Sequence, residues 1–218
     1  SDADFLSKMY IAYKETNETE YIIDLSTMTD NAELPASSGE GWEFTADDNG
    51  NMFLRIFADG NFNLTGTAPA GMYINVEDSV SNAVIFLSDV NIDNRTADLP
   101  AFLIEPGASV DMYLSGNNSL KSGGAYAGLG VPDGAKLTIS SRDGDGNENG
   151  ILTASGGEEG GSGIGGPNPG ESDKAGKIII NGGTITATGG QGAAGIGSSD
   201  TLGDDSYNKN GGEIIING

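Results

Sequence analysis

Pairs of adjacent glycines recur at a spacing of 33 residues in the second half of the chain. A short run with one large aliphatic residue precedes each pair, and a Gly-Leu-Gly or Gly-Ile-Gly triplet follows a few residues later. The pairs stand at Gly123-Gly124, Gly156-Gly157 and Gly189-Gly190. Sequence periods of this length are typical of architectures in which similar structural units stack on one another.

A second spacing, of 27 residues, extends the repeat toward the N-terminus. Leu87-Ser88 is followed at this distance by Leu114-Ser115, and the run Gly107–Val110 is matched by Gly134–Leu137. Insertions explain why the spacings are unequal, and they occupy residues 141–150, 166–176 and 198–212. We therefore expect one continuous repeat with loops added along its edges, where solenoids commonly carry their working face.

The repeat contains three positions for short β-strands and no amphipathic helical spacing. Because side chains alternate along a strand, we expect Leu137, Ile178 and Ile214 to stack inward from one repeat to the next. Ile139, Ile180 and Ile216 should form a parallel stack. The second strand position holds Leu152–Ser155 and Ile185–Thr188, and the third holds Leu129, Ile164 or Ile196 between glycines.

Three short strands per repeat predict an all-β fold, a right-handed single-stranded parallel β-helix (solenoid) of about six or seven coils. Glycine is costly in an ordinary strand, so its recurrence indicates turns with positive φ or close backbone approach. A β-propeller is the alternative. Its blades need about 40 to 45 residues and four strands each, which spacings of 27 and 33 residues do not supply.

Residues 1–41 carry no repeat, and we interpret them as a short N-terminal cap over the apolar end of the stack or as a pair of entry strands. Two short strands are expected there, at 9–13 and 21–25, followed by a loop at 30–41. Residues 42–218 form the predicted repeat domain. Its last residues, 212–218, stop in the middle of a repeat. We therefore expect that the repeat domain is truncated at this point and that the natural chain continues.

The chain is strongly acidic, with 32 Asp and Glu residues against 10 Lys and Arg and a formal net charge of -22. Such a surface repels phosphate backbones and anionic lipid headgroups, so nucleic-acid partners and membrane insertion are disfavoured. The chain has no Cys and no His. This excludes disulfides, thiolate metal sites, histidine-based triads and histidine-bound zinc.

A resemblance to a known group of proteins is carried by two segments of the repeat. Residues 182–197 read Gly-Gly-Thr-Ile-Thr-Ala-Thr-Gly-Gly-Gln-Gly-Ala-Ala-Gly-Ile-Gly, and residues 131–139 read Val-Pro-Asp-Gly-Ala-Lys-Leu-Thr-Ile. They resemble the repeat of secreted surface proteins of Gram-positive anaerobic bacteria that are described as carbohydrate-binding domain-containing proteins. The run Phe-Leu-Arg-Ile-Phe-Ala-Asp-Gly-Asn-Phe-Asn-Leu-Thr-Gly at 53–66 is similar to the opening coils of a clostridial β-helix family. That family resembles polysaccharide lyases in fold and binds glycans with calcium.

The resemblance covers about residues 42–218 and rests mainly on glycines and core aliphatic residues. It implies a parallel β-helix, a glycan ligand, and a secreted or cell-surface location in a bacterium. Residues 1–41 match nothing that we recognise.

The insertion at 141–150 is the best candidate for a metal site. Asp143, Asp145, Asn147 and Asn149 place oxygen-bearing side chains at every second position. Calcium takes six to eight oxygen ligands on a flexible loop, so this spacing could supply several of them. It departs from the helix-loop-helix calcium motif, because Glu148 stands where Gly is required. Asp, Asn and Gly are also the residues of an ordinary solvated turn, which is the alternative.

Aromatic side chains are the candidates for contact with a sugar ring. They are Trp42, Tyr73, Tyr113, Tyr126 and Tyr207. Tyr126 and Tyr207 lie among glycines or in an insertion, which favours exposure. Tyr113 lies between Met112 and Leu114, so its direction depends on which residue is buried. Trp42 has a strong alternative as a packed core or cap residue, because Trp is highly buried on average.

Two asparagines recur at a strand end, Asn181 and Asn217, and we expect an internal ladder in which one hydrogen-bonds the other. For catalysis, the only arrangement of note is Arg142 beside Asp143 and Asp145, since β-helix lyases pair a calcium-binding Asp with an Arg or Lys base. Adjacent residues in a loop more often form a plain turn.

The predicted function is therefore a non-catalytic, extracellular glycan-binding or adhesive module of a bacterial surface, with calcium as its only candidate cofactor. Its partner would be a polysaccharide or a cell-surface glycan of a host. A structural stalk, or an adhesin repeat that binds a host protein and no sugar, is the alternative. A calcium-dependent polysaccharide lyase is the third hypothesis.

Overall fold

The computed structural model describes residues 11–13, 19–27, 38–47, 49–141, 150–166, 174–200 and 210–217. These residues form nineteen β-strands and one 3-10 turn at Leu25–Thr27. In chain order the strands are β1 (Ile11–Tyr13), β2 (Thr19–Asp24), β3 (Ser38–Gly39), β4 (Trp42–Ala46), β5 (Met52–Ile56), β6 (Gly60–Thr67), β7 (Tyr73–Val76), β8 (Ala83–Asp93), β9 (Phe102–Ile104), β10 (Ser109–Ser115), β11 (Asn117–Lys121), β12 (Leu129–Gly130), β13 (Lys136–Ser141), β14 (Ile151–Ser155), β15 (Ile164–Gly165), β16 (Lys177–Ile180), β17 (Thr184–Thr188), β18 (Ile196–Gly197) and β19 (Glu213–Ile216).

The larger sheet is curled and nearly all parallel. Its main path runs β1-β2-β6-β8-β10-β13-β16-β19, and β11, β14 and β17 continue from the second half of β8. Only β1 and β2 pair antiparallel within it. The predicted strands at 9–13 and 21–25 correspond to β1 and β2, and β2 joins the parallel ladder directly through β6.

The second sheet is mixed. Its order is β18-β15-β12-β9-β7-β5-β4-β3, with antiparallel pairing among β3, β4 and β5 and parallel pairing thereafter. The antiparallel pairing of β4 with β5 is closed by a hydrogen bond between Asp47 and Gly50 at the chain reversal. The Asp47 carbonyl accepts from Gly50 N at 2.9 Å, and Gly50 has φ of 83°. The structure thus differs from the expectation of coils beginning at Trp42, since a hairpin comes first.

From β9 onward the chain visits the sheets in a constant order of three strands. The triplets are β9, β10 and β11, then β12, β13 and β14, then β15, β16 and β17. Each strand pairs in parallel with its counterpart one triplet earlier. Positive φ marks the corner between the two strands of the larger sheet, at Asp89 (55°), Gly116 (60°) and Gly183 (93°). The predicted three strands per repeat are therefore present.

The core lies between the inward faces of the two sheets and extends along the whole stack. Alternation in β10 is typical: Val110, Met112 and Leu114 are fully buried, while the residues between them are partly exposed. Burial of each such aliphatic side chain contributes about 1.5 to 3 kcal/mol. At the C-terminal end the core opens to solvent, where Ile214 is 38% and Ile216 65% exposed.

The glycine pairs permit neighbouring backbones to approach closely. A Cβ atom on Gly157 would lie 2.1 Å from the Gly124 carbonyl oxygen, and one on Gly190 would lie 2.0 Å from the Gly157 oxygen. No side chain fits at these distances. The predicted close approach of backbone at the glycine pairs is therefore confirmed, and the predicted positive φ occurs both within a pair, at Gly124 (52°), and at other glycines such as Gly165 (140°).

The predicted register is also confirmed in detail. Leu137 pairs with Ile178 and Ile178 with Ile214, and Leu129, Ile164 and Ile196 form the stack on the second sheet. The 27-residue spacing appears as the pairing of Leu114 with Leu87. All-β structure with parallel stacking is thus established for the described residues.

Two details differ from expectation. Asn217 Nδ2 does donate to Asn181 Oδ1 at 2.9 Å, but both side chains are exposed, so this ladder is not internal. Asn118 is one of the internal amides: it is 2% exposed and pairs with Leu152 of the next triplet. The sequence did not single it out because it breaks the aliphatic pattern.

Candidate functional site

The outward face of the second sheet carries the most organised set of aromatic and polar side chains. In β5, Leu54 and Ile56 are fully buried, so alternation directs Phe53 and Arg55 outward. In β7, Ile74 and Val76 are buried and Tyr73 points outward. These directions follow from the period of two along a strand.

Phe53 and Tyr73 are register partners on adjacent parallel strands. Their rings stack with centroids 4.9 Å apart and planes inclined by 10°. Both side chains are partly exposed. We call them the aromatic pair. Beyond its area of contact, a stacked pair of this kind contributes about 0.5 to 1.5 kcal/mol, and it holds both rings in one orientation.

A polar row lies beside the aromatic pair on the same face. Its members are Glu43, Arg55 and Asn75, which are successive register partners on β4, β5 and β7. Arg55 Nη1 donates to Glu43 Oε1 at 2.6 Å, and Arg55 Nε donates to Glu77 Oε1. The guanidinium also lies 5.1 Å from the centroid of the Phe57 ring. Its charge is therefore already shared between two carboxylates.

Two carboxylates border the polar row, and we call them the acidic border. Glu77 and Glu105 follow Val76 and Ile104 at equivalent positions, with Glu105 N donating to the Val76 carbonyl at 2.8 Å. Glu105 is held by neutral donors, since Asn75 Nδ2 reaches its Oε1 at 2.8 Å and Asp78 N its Oε2 at 3.2 Å. Within the described residues, the buried Oδ1 of Asn75 has no hydrogen-bond partner.

The ionisation of Tyr73 reflects these surroundings. Burial, followed by the charges of Asp47, Tyr126 and Glu105, raises the pKa of Tyr73 to about 12. The Asn51 side chain and nearby backbone N–H groups hold the pKa of Asp47 below its usual range. Burial, followed by the charge of Asp98, raises the pKa of Tyr126. The raised pKa values keep the hydroxyls of Tyr73 and Tyr126 neutral at neutral pH.

The structure separates the aromatic residues that the sequence proposed for sugar contact. Tyr126 is partly exposed, and its charge is one of the smaller causes of the raised pKa of Tyr73. Tyr113 points outward from the larger sheet, because Met112 and Leu114 are buried, and it stacks on Phe86 at 5.2 Å. The core lies between it and the aromatic pair.

Trp42 is a core residue here and not a surface contact. Its side chain is 3% exposed and makes edge contacts with Tyr21 at 6.3 Å and Phe44 at 6.0 Å between ring centroids. A sugar ring cannot reach it in this structure. Trp42 is therefore a packed core residue, which was the alternative to a role in sugar contact.

The remaining candidates fall outside the described residues. These are Tyr207 and the calcium ligands Asp143, Asp145, Asn147 and Asn149, together with Arg142. In the part of the chain that is described, no three carboxylates converge as a group that could hold a metal ion. The calcium site stays a prediction.

Arg55 has no features of a catalytic base. Its hydrogen bonds to Glu77 and then Glu43 raise the pKa of the guanidinium above its ordinary value. A lyase base must lose its proton at working pH, which requires a lowered pKa. The two carboxylates raise the pKa of Arg55 and so oppose that role. Arg55 instead organises the polar row.

Comparison with protein-family models, with curated proteins and with solved structures finds no match to this chain. Among the described residues no helix is long and apolar enough to cross a membrane.

Sequence reasoning missed Phe53, Arg55, Asn75 and Glu105. A usable signal was present: Phe53-Leu54-Arg55-Ile56 and Tyr73-Ile74-Asn75-Val76 share the same alternation of outward and buried residues. Aligning the two strands on their buried aliphatics would have placed Phe53 beside Tyr73.

Proposed function

We propose that this chain is a non-catalytic glycan-binding module of right-handed parallel β-helix type, whose ligand lies on the aromatic pair. The observation that carries the proposal is the stacking of Phe53 and Tyr73 on an outward sheet face beside a row of polar side chains. Sugar rings present flat C–H faces that pack on aromatic rings. Their hydroxyls need adjacent hydrogen-bonding groups, which the polar row offers.

The β-helix part of the proposal is supported by the constant order of three strands and the parallel pairing of each strand with its counterpart. Crossover connections between parallel strands are right-handed in about 98% of cases, which supports that hand. The resemblance of the repeat to secreted bacterial surface proteins supports a location outside the cell. We also propose that residues 143–149 bind calcium and that glycan binding depends on it.

The test is binding of neutral oligosaccharides to matched variants. We expect Tyr73→Ala to weaken binding of a glucose tetramer by about tenfold or more, since a buried aromatic contact of about 1.4 kcal/mol corresponds to that factor. Tyr113→Ala is the control, because Tyr113 is also stacked on a phenylalanine but on the other sheet. Binding is measured by calorimetry after circular dichroism has shown that both variants are folded.

Loss of binding in Tyr113→Ala with retention in Tyr73→Ala would move the site to the larger sheet. Absence of binding to neutral, amino and acidic tetramers, with calcium and with chelator, would refute the glycan-binding proposal. That result would favour the second candidate, a structural stalk or protein-binding adhesin repeat. The specific observation in its favour is a core that continues without interruption from Tyr21 to Ile180.

A further inference from the structure

We propose that the preferred ligand of the aromatic pair is a glycan with a protonated amino group, its ring packed on Tyr73 and its ammonium group directed toward Glu105. This inference rests on the proposed function and adds the chemical class of the sugar. It follows from the kind of polar group that the site leaves available to a ligand.

The site presents three carboxylates, those of Glu43, Glu77 and Glu105, and a single neighbouring cation among the described residues, the Arg55 guanidinium, which hydrogen-bonds two of them. Arg55 uses Nε and Nη1 on Glu77 and Glu43, and its planar face lies near Phe57. Asn75 uses its Nδ2 on Glu105. A ligand carboxylate would meet carboxylates here, whereas ligand hydroxyls and ammonium groups would find acceptors.

Glu105 is the carboxylate with uncompensated charge. Glu77 shares the Arg55 guanidinium, but both donors to Glu105 are neutral, the Asn75 amide and the Asp78 backbone N–H. Two carboxylates at equivalent positions on neighbouring strands repel each other unless a cation lies between them. An ammonium group placed at the acidic border relieves that repulsion and forms a charge-assisted hydrogen bond.

The aromatic pair favours the same charge. A cation near the face of Tyr or Phe is attracted by the ring quadrupole, by about 0.5 to 1 kcal/mol at an exposed site. The rings and the acidic border thus both attract the ammonium group of the ligand. A uronic acid would be repelled by both.

The experiment compares tetramers of glucose, glucosamine and galacturonic acid by calorimetry at roughly 0.15 M salt, where charges beyond about 8 Å are screened. We expect the glucosamine tetramer to bind about tenfold more tightly than the glucose tetramer, from the cation–π and ion-pair contributions together. N-acetylation of the glucosamine tetramer removes its charge and should abolish the advantage. We expect no binding of the galacturonic acid tetramer without calcium.

Glu105→Gln keeps the shape and one oxygen acceptor but removes the charge, so it should weaken glucosamine binding about fivefold more than it weakens glucose binding. Asp111→Asn, on the outward face of the larger sheet, is the matched control for general attraction to an acidic protein. Equal losses in the two variants would overturn the inference. So would equal affinity of the glucose and glucosamine tetramers, a result that leaves the proposed function standing, whereas failure of every tetramer removes both.

Discussion

Gly157 shows how a single missing side chain permits the stack. Its backbone approaches the carbonyls of Gly123 and Gly124 so closely that a Cβ atom would lie 2.3 and 2.1 Å from their oxygens. We expect Gly157→Ala to lower the free energy of unfolding by about 3 kcal/mol, because backbone on both sides must move. Urea denaturation measures the change.

Gly211→Ala is the control for that substitution. Only the Gly197 Cα lies within 4.0 Å of a Cβ built on Gly211, and the backbone is not in the left-handed region. We expect a change below about 0.5 kcal/mol there. Equal effects at Gly157 and Gly211 would show that close approach is not the reason for glycine.

Tyr73 makes stability depend on pH in the alkaline range. Its pKa is about 12 in the folded chain and about 10 when unfolded. Above pH 10 the unfolded chain releases this proton first, so stability is fully present below about pH 10 and falls as the pH rises toward 12. Tyr73→Phe should flatten the decline in the urea midpoint between about pH 9 and pH 12. An unchanged slope would contradict the environment described for this hydroxyl.

Among the elements, Asn118 ties three strands together. Its Oδ1 accepts from Val90 N at 2.9 Å, and its Nδ2 donates to the carbonyls of Ser115 at 2.9 Å and Ile151 at 3.2 Å. Asn118→Ala removes all three hydrogen bonds and leaves the buried Val90 N–H without this partner, and we expect a loss of about 2 to 3 kcal/mol in the free energy of unfolding. Asn217→Ala breaks only an exposed hydrogen bond and should change it by less than about 0.5 kcal/mol. Thermal and urea unfolding of both variants provide the comparison, and a larger loss at Asn217 would contradict it.

The elements of the glycine-rich half were predictable because one physical constraint acts on each repeat. Leu137, Ile178 and Ile214 face the same core from the same strand position, so the sequence repeats at that position. The hairpin of β4 and β5 was less predictable. A turn signal at Asp47 to Gly50 shows where the chain bends, but the direction of the next strand depends on pairing with distant residues.

At the scale of the whole molecule, the candidate site could not be predicted from the sequence, because its residues come together only through pairing of distant strands. Phe53 and Tyr73 are 20 residues apart, a spacing that matches neither 27 nor 33, so no repeat brings them together in the sequence. Glu105 reaches the site only through the pairing of β7 with β9. Periodicity predicts the parallel strands of the repeat well, while the outward residues of β4, β5 and β7 share no repeated constraint that would reveal them in the sequence.

The net charge of -22 should make stability depend on salt. Carboxylates repel one another in the folded chain, and ions screen that repulsion. We expect the melting temperature to rise by about 5 °C between roughly 10 mM and roughly 0.5 M sodium chloride. Calcium and magnesium chlorides at equal ionic strength are the comparison, and a greater rise with calcium would support a bound ion. A melting temperature that falls with salt would show that attractive ion pairs such as Lys177 with Glu213 dominate.

The contact between glycine pairs also has a genetic consequence. Gly157 meets Gly124, and Gly190 meets Gly157, at nearly the same distance and at the same interval of 33 residues. A duplication of that interval in the gene adds a unit whose contacts above and below already match those of its neighbours. Recombination can therefore lengthen or shorten the protein by whole units in one event, while its loops diversify one substitution at a time.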